Sequence, residues 1–114
     1  MSKVIKFEEL QAEIVLPEPL TGTQYAAYVT AHNGGPNTDS WVLKGIRGAL
    51  ALIESGFYIE NGTKHNIKEH GLNCSLNVLA WVQTEASSYV TDAIAVPKLS
   101  SLPPQEPPTA ESRP

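Results

Sequence analysis

Two prolines within three residues, Pro17-Glu18-Pro19, followed at once by Thr21 and Gln24, constrain this chain more than any other stretch. Each proline lacks a backbone donor and pushes the residue before it into extended geometry, so the chain must turn there. Thr21 and Gln24 stand at the spacing of a capping box, in which each side chain takes up the other's free amide. Leu20 and Tyr25 can clamp the same entry as a hydrophobic staple. Extended chain is expected before this point and helix after it.

Before the prolines, residues 3–7 and 12–16 are enriched in β-branched and aromatic side chains and are separated by Glu8-Glu9-Leu10-Gln11. Either they form a short hairpin or the first is a frayed lead-in. After the prolines, a helix over residues 22–32 places Tyr25, Ala26, Tyr28 and Val29 on one stripe, and Asn33-Gly34-Gly35-Pro36 ends it. The two tyrosines read as residues at the edge of the core rather than as a binding platform. A second helix starts at Asp39 or Ser40 and runs from Trp41 to Glu54, with Val42, Ile46, Leu50 and Ile53 as its core stripe.

Gly45 and Gly48 lie inside this second helix, where each costs about 1 kcal/mol relative to alanine, so a neighbour must approach closely on that face. Another helix of the same chain and a neighbouring subunit both satisfy the requirement. Trp41 stands off the apolar stripe and is of the type that anchors protein interfaces. It either points outward or folds back to cap the core. Trp41, Gly45 and Gly48 are therefore the candidate protein-binding residues.

Residues 57–72 read as a loop with an Asn61-Gly62 turn and a possible single helical turn, because residues 64–71 are too polar for a returning strand. The third helix has the strongest period: Asn73 or Ser75 as cap, then Leu76, Leu79, Val82 or Gln83, Ala86 and Tyr89, widened by Val78 and Trp81. It is expected to end near residue 89 or 90, with Thr91-Asp92 breaking it or capping one more turn. From residue 98 onward the composition shifts to Ser, Pro, Glu and Thr, which cannot bury enough surface to offset the entropy of ordering. The expected fold is mainly α: a small bundle of about three helices with a short N-terminal β segment, forming one domain over residues 1–97. Residues 98–114 are expected as a flexible, disordered Pro-rich tail.

The bulk properties exclude several functions. A net charge of −4 over 114 residues, with eight scattered Lys and Arg, offers no basic stripe for a phosphate backbone, so nucleic acid is not expected as a partner. No apolar run approaches the roughly 20 residues that cross a bilayer. The acidic residues near the N-terminus and the single Cys74 fit a cytoplasmic protein. His65, His70 and Cys74 are the nearest approach to a metal site, but structural zinc takes four ligands and the candidates end at three, with Glu69 a poor fourth. Neither metal nor cofactor is expected. Phosphate loops, nucleophile elbows and paired carboxylates are missing from the sequence, so the chain does not read as an enzyme.

The succession Ile14-Val15-Leu16-Pro17-Glu18-Pro19-Leu20-Thr21, a helix opening with Gln24-Tyr25, a Trp-containing middle helix, Leu76-Asn77-Val78-Leu79-Ala80-Trp81-Val82 and a closing Val96-Pro97-Lys98 resembles small phage tail-module proteins of the tail assembly chaperone type. The likeness covers residues 12–98, and size, acidity and a Pro-rich end are similar as well. It implies a bacteriophage protein of the host cytoplasm that binds tape-measure or tail-tube protein during virion assembly, and it carries over no functional residue. Self-association into a homo-oligomer is compatible with the glycine-bearing helix. A small regulatory protein that inhibits a host enzyme, and a structural head or tail component of the virion, are the alternatives.

Overall fold

The computed structural model describes residues 2–101. The chain runs β1 (Ser2–Phe7), β2 (Ala12–Pro17), α1 (Gly22–Asn33), α2 (Trp41–Leu52), β3 (Ser55–Glu60), β4 (Thr63–Asn66), α3 (Ile67–His70) and α4 (Leu76–Ser101). The four strands form one antiparallel sheet in the order β1-β2-β3-β4. The register pairs Ile5 with Ile14, Ala12 with Tyr58, Ile14 with Gly56, and Tyr58 with His65.

A three-helix bundle is therefore not what this sequence forms; the fold is α+β, built on a four-stranded sheet. Two strands explain the difference. The first two apolar segments do make a hairpin, joined by a 3-10 turn at Glu8–Leu10 and a left-handed Gln11 with φ 49°. The stretch read as loop makes a second hairpin, in which Asn61 and Gly62 take φ 53° and 77°. Two positive φ values in a two-residue connection match the right-handed twist of the strands they join. None of the four residues of β4 is fully buried, so the strand has no apolar alternation and is held by backbone pairing to β3.

Because side chains alternate across a strand, Ala12, Ile14 and Leu16 enter the core from one face of the sheet together with Gly56 and Tyr58. They meet Ile46, Ala49 and Leu52 of α2, Ile67 of α3, and Val78, Leu79, Val82, Ala86 and Val90 of α4. The opposite sheet face carries Val4, Glu13, Val15, Phe57 and Ile59, all exposed or half-buried. Lys64 lies 4.4 Å above the Phe57 ring there, so its stem covers part of that apolar face.

The helices differ in detail from their expected courses. The buried face of α2 is Gly45, Ile46, Gly48, Ala49 and Leu52, with Ile53 following, while Val42 is half exposed. The large side chains mark the helix, but its small ones mark the tightest contact. Helix α4 continues past residue 90 because Thr91 and Asp92 stand on its solvent side and Val90 remains buried, leaving no reason to break. It extends over residues 98–101, the first four of the expected tail; residues 102–114 lie outside the described residues. Leu76, expected on the core stripe, is 68% exposed.

Candidate functional site

The strongest candidate site is where the end of α1 meets the start of α2. The Thr21 capping box fixes where α1 begins: Gln24 N–H donates to Thr21 Oγ1 at 3.2 Å and Thr21 N–H donates to Gln24 Oε1 at 2.9 Å. This sets Tyr25, Tyr28 and His32 on one edge of the helix at three- and four-residue spacing. Their rings follow one another, with centroids 6.4 Å apart for Tyr25 and Tyr28 and 6.2 Å for Tyr28 and His32. None of the α1 residues is fully buried, so this helix lies against α2 as an outer layer.

Ser40 opens α2, its Oγ accepting from Leu43 N–H at 3.2 Å. The chain between the two helices is held by Arg47, whose Nε donates to the buried Asp39 carboxylate at 2.6 Å. Trp41 thereby stands in the first turn of α2 and is 77% exposed. The His32 ring meets it edge-on, 5.6 Å between centroids at 64°. Trp41, Val42, His32 and Tyr28 line an open cleft of about 290 Å³ whose floor includes Gly45 and whose far wall is Gln83 and Ser87 of α4. Among the exposed large hydrophobic side chains of the described residues Trp41 has the highest fractional exposure, and two aromatic neighbours hold its surroundings in place.

The three residues singled out from the sequence are neighbours in space but play different parts. Trp41 faces solvent. Gly45 and Gly48 are buried by the chain itself: a β-carbon at Gly45 would come within 2.8 Å of Gln83 Cγ, and one at Gly48 within 3.0 Å of the Tyr28 ring. Of the two neighbours the glycines allowed, the structure supplies the internal one. His32, Tyr25 and Val42 are members of the surface that sequence reasoning missed. A signal was available: α1 contains Ala26, Ala27 and Ala31 but no Leu or Ile, so its tyrosines had little core to join.

Among the described residues no group of three His, Cys, Asp or Glu side chains is placed to hold a metal ion. His65 Nδ1 and His70 Nε2 face each other at 3.2 Å, whereas Cys74 is turned into the core, its thiol donating to the Ile67 carbonyl at 3.6 Å. Burial pushes the Cys74 thiol up from its usual value, with a Tyr58 hydrogen bond opposing. Burial likewise raises Tyr28, reinforced by Tyr25, and raises Tyr89, reinforced by the charges of Glu18 and Glu54. No helix among the described residues is long and apolar enough to cross a membrane.

Fold and surface together define a small α+β protein with an aromatic cleft lined by three helices. No protein-family model matches the chain, and neither a curated protein nor a solved structure does.

Proposed function

We propose that this chain is a non-enzymatic protein-binding protein that takes its partner at the Trp41 cleft. The observation that carries the reading is the 77% exposure of Trp41 beside an aromatic-lined groove. An aromatic of this size presents roughly 150 Å² or more, whose removal from water favours association by about 4 kcal/mol before ordering costs. Trp is also the residue type that most often dominates binding energy at protein interfaces. The groups whose titration the fold displaces, Tyr28, Cys74 and Tyr89, are all held toward their neutral forms, the opposite of an activated nucleophile.

The resemblance of residues 12–98 to tail assembly chaperones supports one class of partner: a phage tape-measure or tail-tube protein, bound in the host cytoplasm during virion assembly. A chaperone of this kind needs an anchoring side chain that is open before binding, in a patch small enough to leave the free protein dispersed. Co-expression tests the assignment. Tape-measure protein is expected to stay soluble with this chain and to aggregate without it. Equal aggregation in both cases contradicts the chaperone role, and a stoichiometric presence of the chain in purified virions replaces it with a structural one.

A further inference from the structure

The corner between β4 and α3 carries a pair of histidines that the aromatic cleft does not use. His65 lies on β4, opposite Tyr58 in the register, and its ring packs against the Tyr58 ring with centroids 5.0 Å apart. His70 closes the single turn of α3. That turn is short, yet it is fastened at several points. Asn66 caps it, its side chain accepting from Glu69 N–H at 3.0 Å. Ile67 is fully buried beneath the sheet, and Lys68 Nζ donates to the Ile53 carbonyl at 2.8 Å. Both rings are half-buried, they meet edge-on at 70°, and His65 Nδ1 stands 3.2 Å from His70 Nε2.

We propose that His65 and His70 form a two-imidazole chelate for a late first-row divalent cation, with copper(II) favoured over nickel(II) and zinc(II). The separation of the nitrogens fits. Two imidazole nitrogens each about 2.0–2.1 Å from a tetrahedral ion lie about 3.3–3.4 Å apart, and at right-angle positions about 2.9 Å. The observed 3.2 Å falls between these two edges, so the spacing of the donors suits an ion once both lone pairs turn toward it. Neutral imidazole suits copper, nickel and zinc and discriminates against hard cations such as magnesium, and copper(II) stands highest in the affinity order of divalent ions. In the metal-free pair one ring must donate and the other accept. With an ion between them both facing nitrogens present lone pairs, and both ring protons sit on the outer nitrogens.

Two protein ligands leave the other coordination positions to water. The site is therefore an exchangeable one that clips β4 to α3, distinct from a closed four-ligand structural site. Cys74 takes no part, since its sulfur is engaged with the Ile67 carbonyl.

The test uses the untagged full chain, titrated calorimetrically with copper(II), nickel(II) and magnesium(II) salts. One copper ion per chain is expected, nickel more weakly, magnesium not at all, and the melting temperature rises as copper saturates. His65→Gln and His70→Gln each weaken copper binding at least tenfold, whereas His32→Gln, on α1, leaves it unchanged. Paramagnetic resonance of the wild-type copper complex reads two imidazole nitrogens on the ion, an observation that does not depend on any variant folding. Absence of saturable copper binding, binding undiminished in the His65→Gln, His70→Gln double variant, or a spectrum with one imidazole nitrogen overturns the proposal.

Discussion

Gly45 and Gly48 occupy equivalent turns of one helix, yet the side chains above them respond differently to an added methyl group. At Gly48 the methyl would press on the Tyr28 ring at 3.0 Å and on the Tyr28 carbonyl oxygen at 3.2 Å, so both a ring and a backbone atom of α1 must yield. Overpacking of this kind costs about 1–3 kcal/mol, which outweighs the ~1 kcal/mol that alanine contributes to a helix interior. At Gly45 the three nearest atoms all belong to the Gln83 side chain, which is half-buried at the rim of the cleft, so its Cγ at 2.8 Å must rotate away but no backbone atom among them has to yield. Gly48→Ala is thus expected to lower the melting temperature and Gly45→Ala to leave it unchanged or raise it. Thermal melts of the two variants decide the matter, and the reverse order contradicts the packing described. The sequence could establish that something approaches these glycines, because their helical cost has to be offset. It could not say what, since Gln83 lies thirty-eight residues after Gly45 and Tyr28 twenty before Gly48.

At the level of elements, the segments legible in the sequence are those whose stabilisation is local. The Thr21 capping box, the Asn61-Gly62 turn and the Leu79, Val82 and Ala86 stripe of α4 all rest on neighbouring residues and all appear in the structure. Strand β4 was not legible, because Thr63-Lys64-His65-Asn66 buries no side chain fully and gains its order from the backbone of β3. The face of α2 was misplaced for a related reason. Val42 completes a regular stripe with Ile46, but the tertiary contact is made through Gly45, Gly48 and Ala49, whose small size carries no hydrophobic signal. The second hairpin supplies its own test. Gly62 has φ 77° and no atom within 4 Å of where a β-carbon would stand, so Gly62→Ala meets no clash and incurs only the left-handed backbone cost. That cost is about 1–2 kcal/mol for an L-residue. A matching loss of stability in chemical unfolding is expected, and an unchanged unfolding midpoint would mean that the turn is not of this type.

For the molecule as a whole, the displaced titrations predict a one-sided dependence on pH. Tyr89 ties α4 to the end of β2 through a hydrogen bond from its hydroxyl to the Pro17 carbonyl, and burial with the nearby Glu18 and Glu54 charges raises its pKa. Tyr28 and Cys74 are also raised, chiefly by burial. Raised folded-state values mean that the fold favours the protonated forms. Their contribution is complete below the unfolded values of 9.0 for Cys and 10.0 for Tyr, and is lost as pH rises through the higher folded values. The melting temperature should therefore fall on the alkaline side, and Tyr89→Phe should fall less steeply over the same range although it starts lower. Identical slopes for the two proteins contradict the role given to Tyr89.

The central claim concerns Trp41, since the fold buries both glycines and leaves this ring outside. Trp81, the other tryptophan, is half-buried against Phe7 with ring centroids 5.6 Å apart, so the two residues report on different environments. The most direct measurement is calorimetric titration of purified tail-tube protein into the wild-type chain and into Trp41→Ala. Loss of an anchoring aromatic costs about 2 kcal/mol or more, which is about thirtyfold in affinity. Trp41→Ala is expected to weaken binding by at least that factor while melting at the wild-type temperature. Equal affinity for the two chains would contradict the assignment of this cleft as the partner site.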